Sequence, residues 1–380
     1  MSTRFAAAFA EGDPATLVRQ LCRQLPEEQH STLGVLYVSE PAGSALPQLV
    51  RELAEATGTA AWVGGVGLGV CTAGSEVHDR PAAALLLADL PPDSFRLFGA
   101  TSDPAADLPR THGRWIETVA PTLALVHGDP RCPDLLRATA DAAAASGAFL
   151  VGGLMSHNTP QPLLAGQIGT GRDNPGSFGA AGLSGLLLTS EVAVATGLTQ
   201  GCMPIGPVRR IDEARDNVVM TIDGRPALTV FYEDIGPELA RDPRRLGGVV
   251  FVGLPVPGSD TGDYLVRNLM AIDPRSGWIA IAEQVAPGDQ ILFCRRDPDS
   301  ARADLGRMLQ QLKGRLPGPP RAGIYVSCIA RGAALFGETG VETALIRDML
   351  GDFPLIGFFA NGEISRDRLY GHTGVLTVFT

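Results

Sequence analysis

Three stretches of this chain follow one pattern: an apolar strand-like run, a helical segment closed by glycine, and a second apolar run that meets another glycine within five or six residues. The first passes from LGVLYV (Leu33 to Val38) through a helix with Leu46, Leu49, Val50 and Leu53 on one face, capped at Gly58, to AAWVGG (Ala60 to Gly65). The second passes from TLALVHG (Thr122 to Gly128) through a helix ending at Gly147 to AFLVGG (Ala148 to Gly153). The third passes from AGIYVSC (Ala322 to Cys328) through Leu345, Ile346, Met349 and Leu350, ending at Gly351, to FPLIGFF (Phe353 to Phe359). A further strand-like run follows each: AAALLLA from Ala82, GLLLTSEVAVA from Gly185 and GVLTVF from Gly374. A period of this kind constrains a fold more than any local propensity does.

Each stretch reads as a βαββ unit with a right-handed crossover. The expected fold class is therefore α/β, with two mixed-sheet domains built from repeated βαββ units. If the first two strands of a unit are parallel, Gly65 and Gly153 fall at carboxyl ends, where open α/β sheets take their ligands. Residues 1–32 read as an N-terminal helical appendage, opened by Asp13-Pro14 with Leu17, Leu21 and Leu25 on one side. DNVVMTIDGRPALTVFYEDI, from Asp216 to Ile235, reads as a hairpin about Asp223-Gly224. A boundary there gives domains 33–226 and 227–380, a count that suits 380 residues.

Composition removes several classes of function. Lys plus Arg is 31 against 41 Asp plus Glu, a net charge of −10 that argues against nucleic-acid and anionic-membrane partners. Lys313 is the only lysine, which disfavours Schiff-base chemistry and a lysine-bearing phosphate loop. The six cysteines form no CxxC and the N-terminus has no signal-peptide pattern, so a reduced, cytoplasmic protein is expected. The apolar segment Gly176 to Leu198 is Gly-rich, and its Val192, Val194 and Thr196 alternate with small residues, which suits buried strands better than a membrane span. No HExxH, GxSxG, SxxK or GxGxxG is present, and the six histidines show no metal-ligand spacing. These motifs leave the cofactor unknown.

The chemistry that remains lies in turns after apolar strands. TQGCMPIGP places Gln200 and Cys202 in a loop stiffened by two Gly and two Pro, either a rigid connector or a ligand-facing turn. SCIARG sets Cys328 and Arg331 at a strand end, where Arg331 suits a carboxylate or phosphate, or a carbonyl of its own turn. FFANGEIS brings Asn361 and Glu363 beside them, and Glu363 can equally pair with Arg331. YLVRNL adds Arg267 and Asn268, for which a surface role is the plain alternative. Candidate acids and bases are Glu363, Glu342 and the thiols.

In order, WVGGVGLGVC, TQGCMPIGP, DGRPAL, FCRRD, SCIARG, FPLIGFFANGEI and TGVLTVF resemble the sequence blocks of the FIST family, from Leu33 to Phe379. In that resemblance Gln200, Gly201, Cys202 and Pro204 match one signature, and Cys328, Arg331, Gly332, Asn361, Gly362 and Glu363 match another; Ala330 stands where Gly is expected. The resemblance implies an intracellular sensory module that binds a small ligand, an amino acid or other small carboxylate, with FIST N-terminal and C-terminal domains meeting near residue 226. With no kinase, cyclase, methyl-accepting or F-box segment, output is expected to pass to a separate signalling protein. In this reading Arg331 holds an anionic group, Asn361 and Gln200 orient the ligand, and Glu363 receives an amine or buttresses Arg331. Two readings stay open beside it: an enzyme with Cys328 or Cys202 as nucleophile on a carbonyl or thioester, and a haem-binding sensor.

Overall fold

The structure is a computed structural model, and it describes residues 4–27, 30–91, 93–168, 177–242, 246–256 and 263–380. Each repeat builds the same mixed three-strand nucleus. Leu33–Ser39 lies between a parallel neighbour, Ala61–Gly67, and an antiparallel one, Ala82–Asp89. Leu123–Gly128 lies likewise between Phe149–Leu154 and Leu183–Leu188, and Ala322–Cys328 between Leu355–Ala360 and Thr373–Phe379. The crossover helices Leu46–Thr57, Leu135–Ser146 and Val341–Leu350 are each followed by a glycine of positive φ, Gly58, Gly147 and Gly351. Glycine adopts that backbone without the Cβ clash other residues meet.

A second glycine in each repeat sets the spacing of the parallel pair. A Cβ on Gly64 would lie 2.0 Å from the Leu36 carbonyl oxygen, one on Gly152 1.8 Å from that of Val126, and one on Gly357 2.0 Å from that of Tyr325. In every case the carbonyl belongs to the residue directly opposite on the central strand. No side chain fits there, so the glycine recurs.

Among the described residues the three sheets are six-stranded and share one plan. A leading strand pairs with the third strand of its repeat: Arg4–Glu11 with Ala82–Asp89, Phe95–Thr101 with Leu183–Leu188, and Val194–Gln200 with Thr373–Phe379. The strands after each second strand then cross to another repeat. Gly69–Thr72 of the first pairs with Leu355–Ala360 of the third, Glu363–Ser365 of the third with Phe149–Leu154 of the second, and Leu163–Gln167 of the second with Ala61–Gly67 of the first. This cyclic exchange locks the repeats together, and one core cluster draws on all three sheets, including Val35, Tyr37, Leu125, Val151, Val326 and Phe358.

The described part of residues 1–32 is consequently no appendage. Arg4–Glu11 is the leading strand of the first repeat, paired along its whole length. Alternate alanines Ala6, Ala8 and Ala10 turn inward, and Leu17 and Leu21 of helix Pro14–Cys22 are buried beneath. Of the apolar segment from residue 176 to 198, Gly176 lies outside the described residues, and the rest carries strands Phe178–Gly179, Leu183–Leu188 and the start of Val194–Gln200. No described helix is long and apolar enough to cross a membrane.

The chain divides into two compact units, Met1–Thr199 with Gly306–Leu369 and Thr373–Thr380, and Gln200–Leu305 with Tyr370–His372. The three-strand nuclei of all three repeats belong to the first, and the main part of the second, Gln200–Leu305, falls in sequence between the leading and central strands of the third repeat. A single cut at 226 is not how the compact units divide. In the second unit, the pairings of Gln290–Arg296, Arg209–Arg215, Val218–Ile222, Trp278–Ile281, Tyr264–Asp273 and Val250–Pro255 close into an antiparallel ring. Asp223 and Gly224, both of positive φ, make the expected tight turn, but the returning strand is only Arg225–Pro226. Ala227–Ala240 is helical, broken by a kink at Gly236, where TVFY had suggested a strand, because Val230 and Phe231 pack into the same core as Val219, Ile281 and Phe293. Tertiary packing overrides β-propensity there.

Candidate functional site

In the first unit the third repeat carries a dense group of buried polar side chains. Along Ala322–Cys328, Tyr325 and Ser327 share one face and Cys328 points to the other, as strand alternation requires. Glu342, second residue of helix Val341–Leu350, lies over the Tyr325 face near the helix N-terminus, a favourable place for a carboxylate. Its Oε1 accepts from Tyr325 OH at 2.8 Å and from Arg331 Nε at 2.7 Å, with Arg331 Nη2 at 2.6 Å. Its Oε2 accepts from Ser327 Oγ at 2.8 Å and Gly332 N–H at 3.4 Å. Glu76 completes the group, accepting from the Ala333 N–H at 2.9 Å.

Arg331 is buried, 1% exposed. Burial alone would push its guanidinium pKa down, but Glu342 more than offsets that and keeps it charged. Its ion-pair partner is thus Glu342, not the Glu363 considered from sequence. Burial raises the Tyr325 hydroxyl well above its ordinary value, with Glu342 adding to the effect, so it remains a donor.

Glu363 sits on the other side of the central strand. It opens Glu363–Ser365, directly opposite Gly153, and is completely buried. Its carboxylate accepts from Thr373 Oγ1 at 2.7 Å and Thr373 N–H at 3.1 Å, from Gly362 N–H at 3.3 Å, and from the Cys328 thiol. Burial raises its pKa to about 7, against the lowering effects of Thr373, the Arg331 charge and Cys328. The exposed Asn361 lies two residues before it, and Gly362, with φ of 139°, turns the chain inward between them.

A folded-state pKa of about 7 against an unfolded value of 4.5 has a definite sign. The stabilisation from protonated Glu363 is fully present below pH 4.5 and is lost as pH rises through 7. The loss amounts to about 3 kcal/mol. Urea unfolding of wild type and Glu363→Gln across that range is expected to show this slope in the wild type and not in the variant. Parallel curves would mean that Glu363 titrates normally.

The other candidates from sequence fall elsewhere. The positions beside Gly153 and Gly65 are filled by protein: a Cβ on Gly153 would meet Val326 Cγ1 at 2.8 Å and Ala360 Cβ at 3.0 Å, and one on Gly65 the Pro162 carbonyl at 2.2 Å. These glycines permit close packing between repeats. Gln200, Cys202, Arg267 and Asn268 belong to the second unit. There Gln200 N–H donates to Asp304 Oδ2 at 2.7 Å and Gln200 Nε2 to the Tyr264 carbonyl at 3.2 Å. Cys202 is buried against Cys294, whose thiol is pushed far up by that contact and by burial. Arg267 pairs with Glu283 at 2.9 Å, and Asn268 is exposed on its strand. Tyr325 and Ser327 were not singled out from sequence, although their i, i+2 spacing in AGIYVSC was the available signal. Among the described residues no group of three or more His, Cys, Asp or Glu could hold a metal ion.

Comparison with known proteins gives two matches that cover nearly the whole chain. The model of the FIST N domain matches residues 32–225, and that of the FIST C domain matches 227–366. An uncharacterized protein of Mycobacterium tuberculosis (strain ATCC 25618 / H37Rv) is 31% identical over 359 residues, 91% of this chain and 91% of the relative. An uncharacterized protein of Mycobacterium bovis is 33% identical over 192 residues, 48% of this chain and 49% of the relative.

Proposed function

We propose that this chain, which belongs to the FIST family, is a sensory protein that binds a small amine-bearing ligand, with amino acids as the class in view. FIST domains are associated with signal transduction and sensing. The observation that carries the ligand reading is Glu363, a wholly buried carboxyl near neutrality beside an exposed turn. Perturbed, buried acids of this kind concentrate at functional sites. The groups bonded to it are neutral donors, from Thr373, Gly362 and Cys328. A protonated amine brings the full positive charge that those donors lack. A simple carboxylate suits the site less well, because Arg331 is already engaged by Glu342. The ligand's anionic end, where it has one, falls to backbone N–H groups, and the occupied state is passed to a separate signalling protein.

Thermal-shift measurements against amino acids, primary amines and carboxylates test this. Amine-bearing compounds are expected to raise the melting temperature while their N-acetylated forms do not. Stabilisation by carboxylates regardless of the amine would overturn the assignment.

The contact between Cys328 and Glu363 favours a second reading, in which Glu363 takes the thiol proton and Cys328 attacks a carbonyl or thioester. At 4% exposure, Cys328 is expected to resist iodoacetamide at neutral pH under the sensory reading. Fast labelling of that thiol, blocked by ligand, would move the balance to the enzyme.

A further inference from the structure

The residue after the glycine-facing position on each central strand is Tyr37 in the first repeat, His127 in the second and Val326 in the third. Their antiparallel partners on the third strands are Ala84, Ser184 and Val375. The fold therefore accepts small or apolar residues at these places, and the polar pair His127 and Ser184 is not imposed by it. Both are buried, at 0% and 1% exposure. His127 Nε2 meets the Tyr37 hydroxyl at 2.9 Å, and its ring packs on Tyr37 and Phe358 with centroids 5.4 and 5.8 Å away. Yet His127 Nδ1 and Ser184 Oγ have no hydrogen-bond partner among the described residues. A buried polar atom left so costs about 1–3 kcal/mol.

We infer that His127 Nδ1 and Ser184 Oγ together hold one small neutral hydrogen-bonding molecule, a water, in the core shared by the three repeats. The two residues are directly opposed on antiparallel strands, so their side chains leave the same face with Cβ atoms about 5 Å apart. A charged ligand does not suit the place, because the surroundings are apolar and burial keeps the imidazole neutral down to about pH 3. We take the Tyr37 hydroxyl as donor to Nε2, the tautomer that leaves the ring proton on Nδ1 to be donated to the water. The water, able to accept and donate at once, then bonds Ser184 as well. Tyr37, His127, the water and Ser184 become one chain of hydrogen bonds linking two repeats.

A high-resolution crystal structure of the full chain, with nitrogen-15 spectra of the histidine rings, tests this. The expected result is one ordered water within hydrogen-bond distance of both atoms and a protonated Nδ1. Ser184→Val is expected to displace the water and shift the His127 Nδ1 resonance. Ser184→Ala, which leaves room for the water, is expected to keep it on His127 and gives a second readout if the valine variant folds poorly. A direct bond between Ser184 Oγ and His127 Nδ1, a dry site, or a larger molecule retained there would each overturn the inference.

Discussion

Replacing Arg331 by methionine is expected to destabilise the protein by about 3–5 kcal/mol, the range seen when one partner of a buried ion pair is removed. The methionine fills much of the arginine's volume, so the loss is electrostatic. It leaves Glu342 with Tyr325, Ser327 and Gly332 as donors and no facing guanidinium. Against a domain stability of about 5–15 kcal/mol that is a large fraction. The paired change Arg331→Met with Glu342→Leu is expected to recover much of the loss, because no uncompensated charge then stays buried. Urea unfolding of the single and double variants measures both. A cost for Arg331→Met below about 1 kcal/mol, the size of a surface pair, would show that Glu342 does not need Arg331 and would return it to the list of ligand-binding groups.

Gly152→Ala is expected to cost about 4 kcal/mol, combining backbone strain with overpacking at a site that cannot relax. The new Cβ would lie 1.8 Å from the Val126 carbonyl oxygen, at a φ of 147° that L residues rarely adopt. Relief requires the parallel strands Leu123–Gly128 and Phe149–Leu154 to separate, and Glu363–Ser365 pairs on the far side of the latter. Gly147→Ala is the control, since that glycine also has positive φ, of 68°, but a Cβ there meets nothing within 4 Å. It is expected to cost only about 1–2 kcal/mol, the left-handed penalty alone. Equal costs for the two, read from urea midpoints, would mean that the close approach to Val126 is unimportant.

These glycines were the most legible part of the molecule. Three strand–helix–strand runs with Gly64, Gly152 and Gly357 in matching places show the α/β class from sequence, because the steric demand recurs at one position in each repeat. The leading strand Arg4–Glu11 was not legible, since its inward residues are alanines of low β-propensity and its pairing partners lie 71 to 85 residues away. Nor was the exchange of strands between repeats, which no local pattern encodes. At the site, Cys328, Arg331 and Glu363 were visible as chemistry in turns, but their partners were not. Whether Arg331 meets Glu342 or Glu363 depends on how helix Val341–Leu350 lies over Ala322–Cys328, and spacing carries no record of that.

The central claim is that Glu363 receives the amine of a small ligand, and calorimetric titration of wild type and Glu363→Gln with the best amine-bearing hit, at pH 8 and pH 6, tests it most directly. Below a pKa of about 7 the carboxyl must lose its proton to pair with the ammonium, so each pH unit below that value weakens binding up to about tenfold. Wild-type binding is predicted to weaken by roughly tenfold from pH 8 to pH 6, and Glu363→Gln to bind at least about tenfold more weakly at pH 8 with no such dependence. Equal affinities of wild type and variant at pH 8, with the same response to pH, would contradict the account.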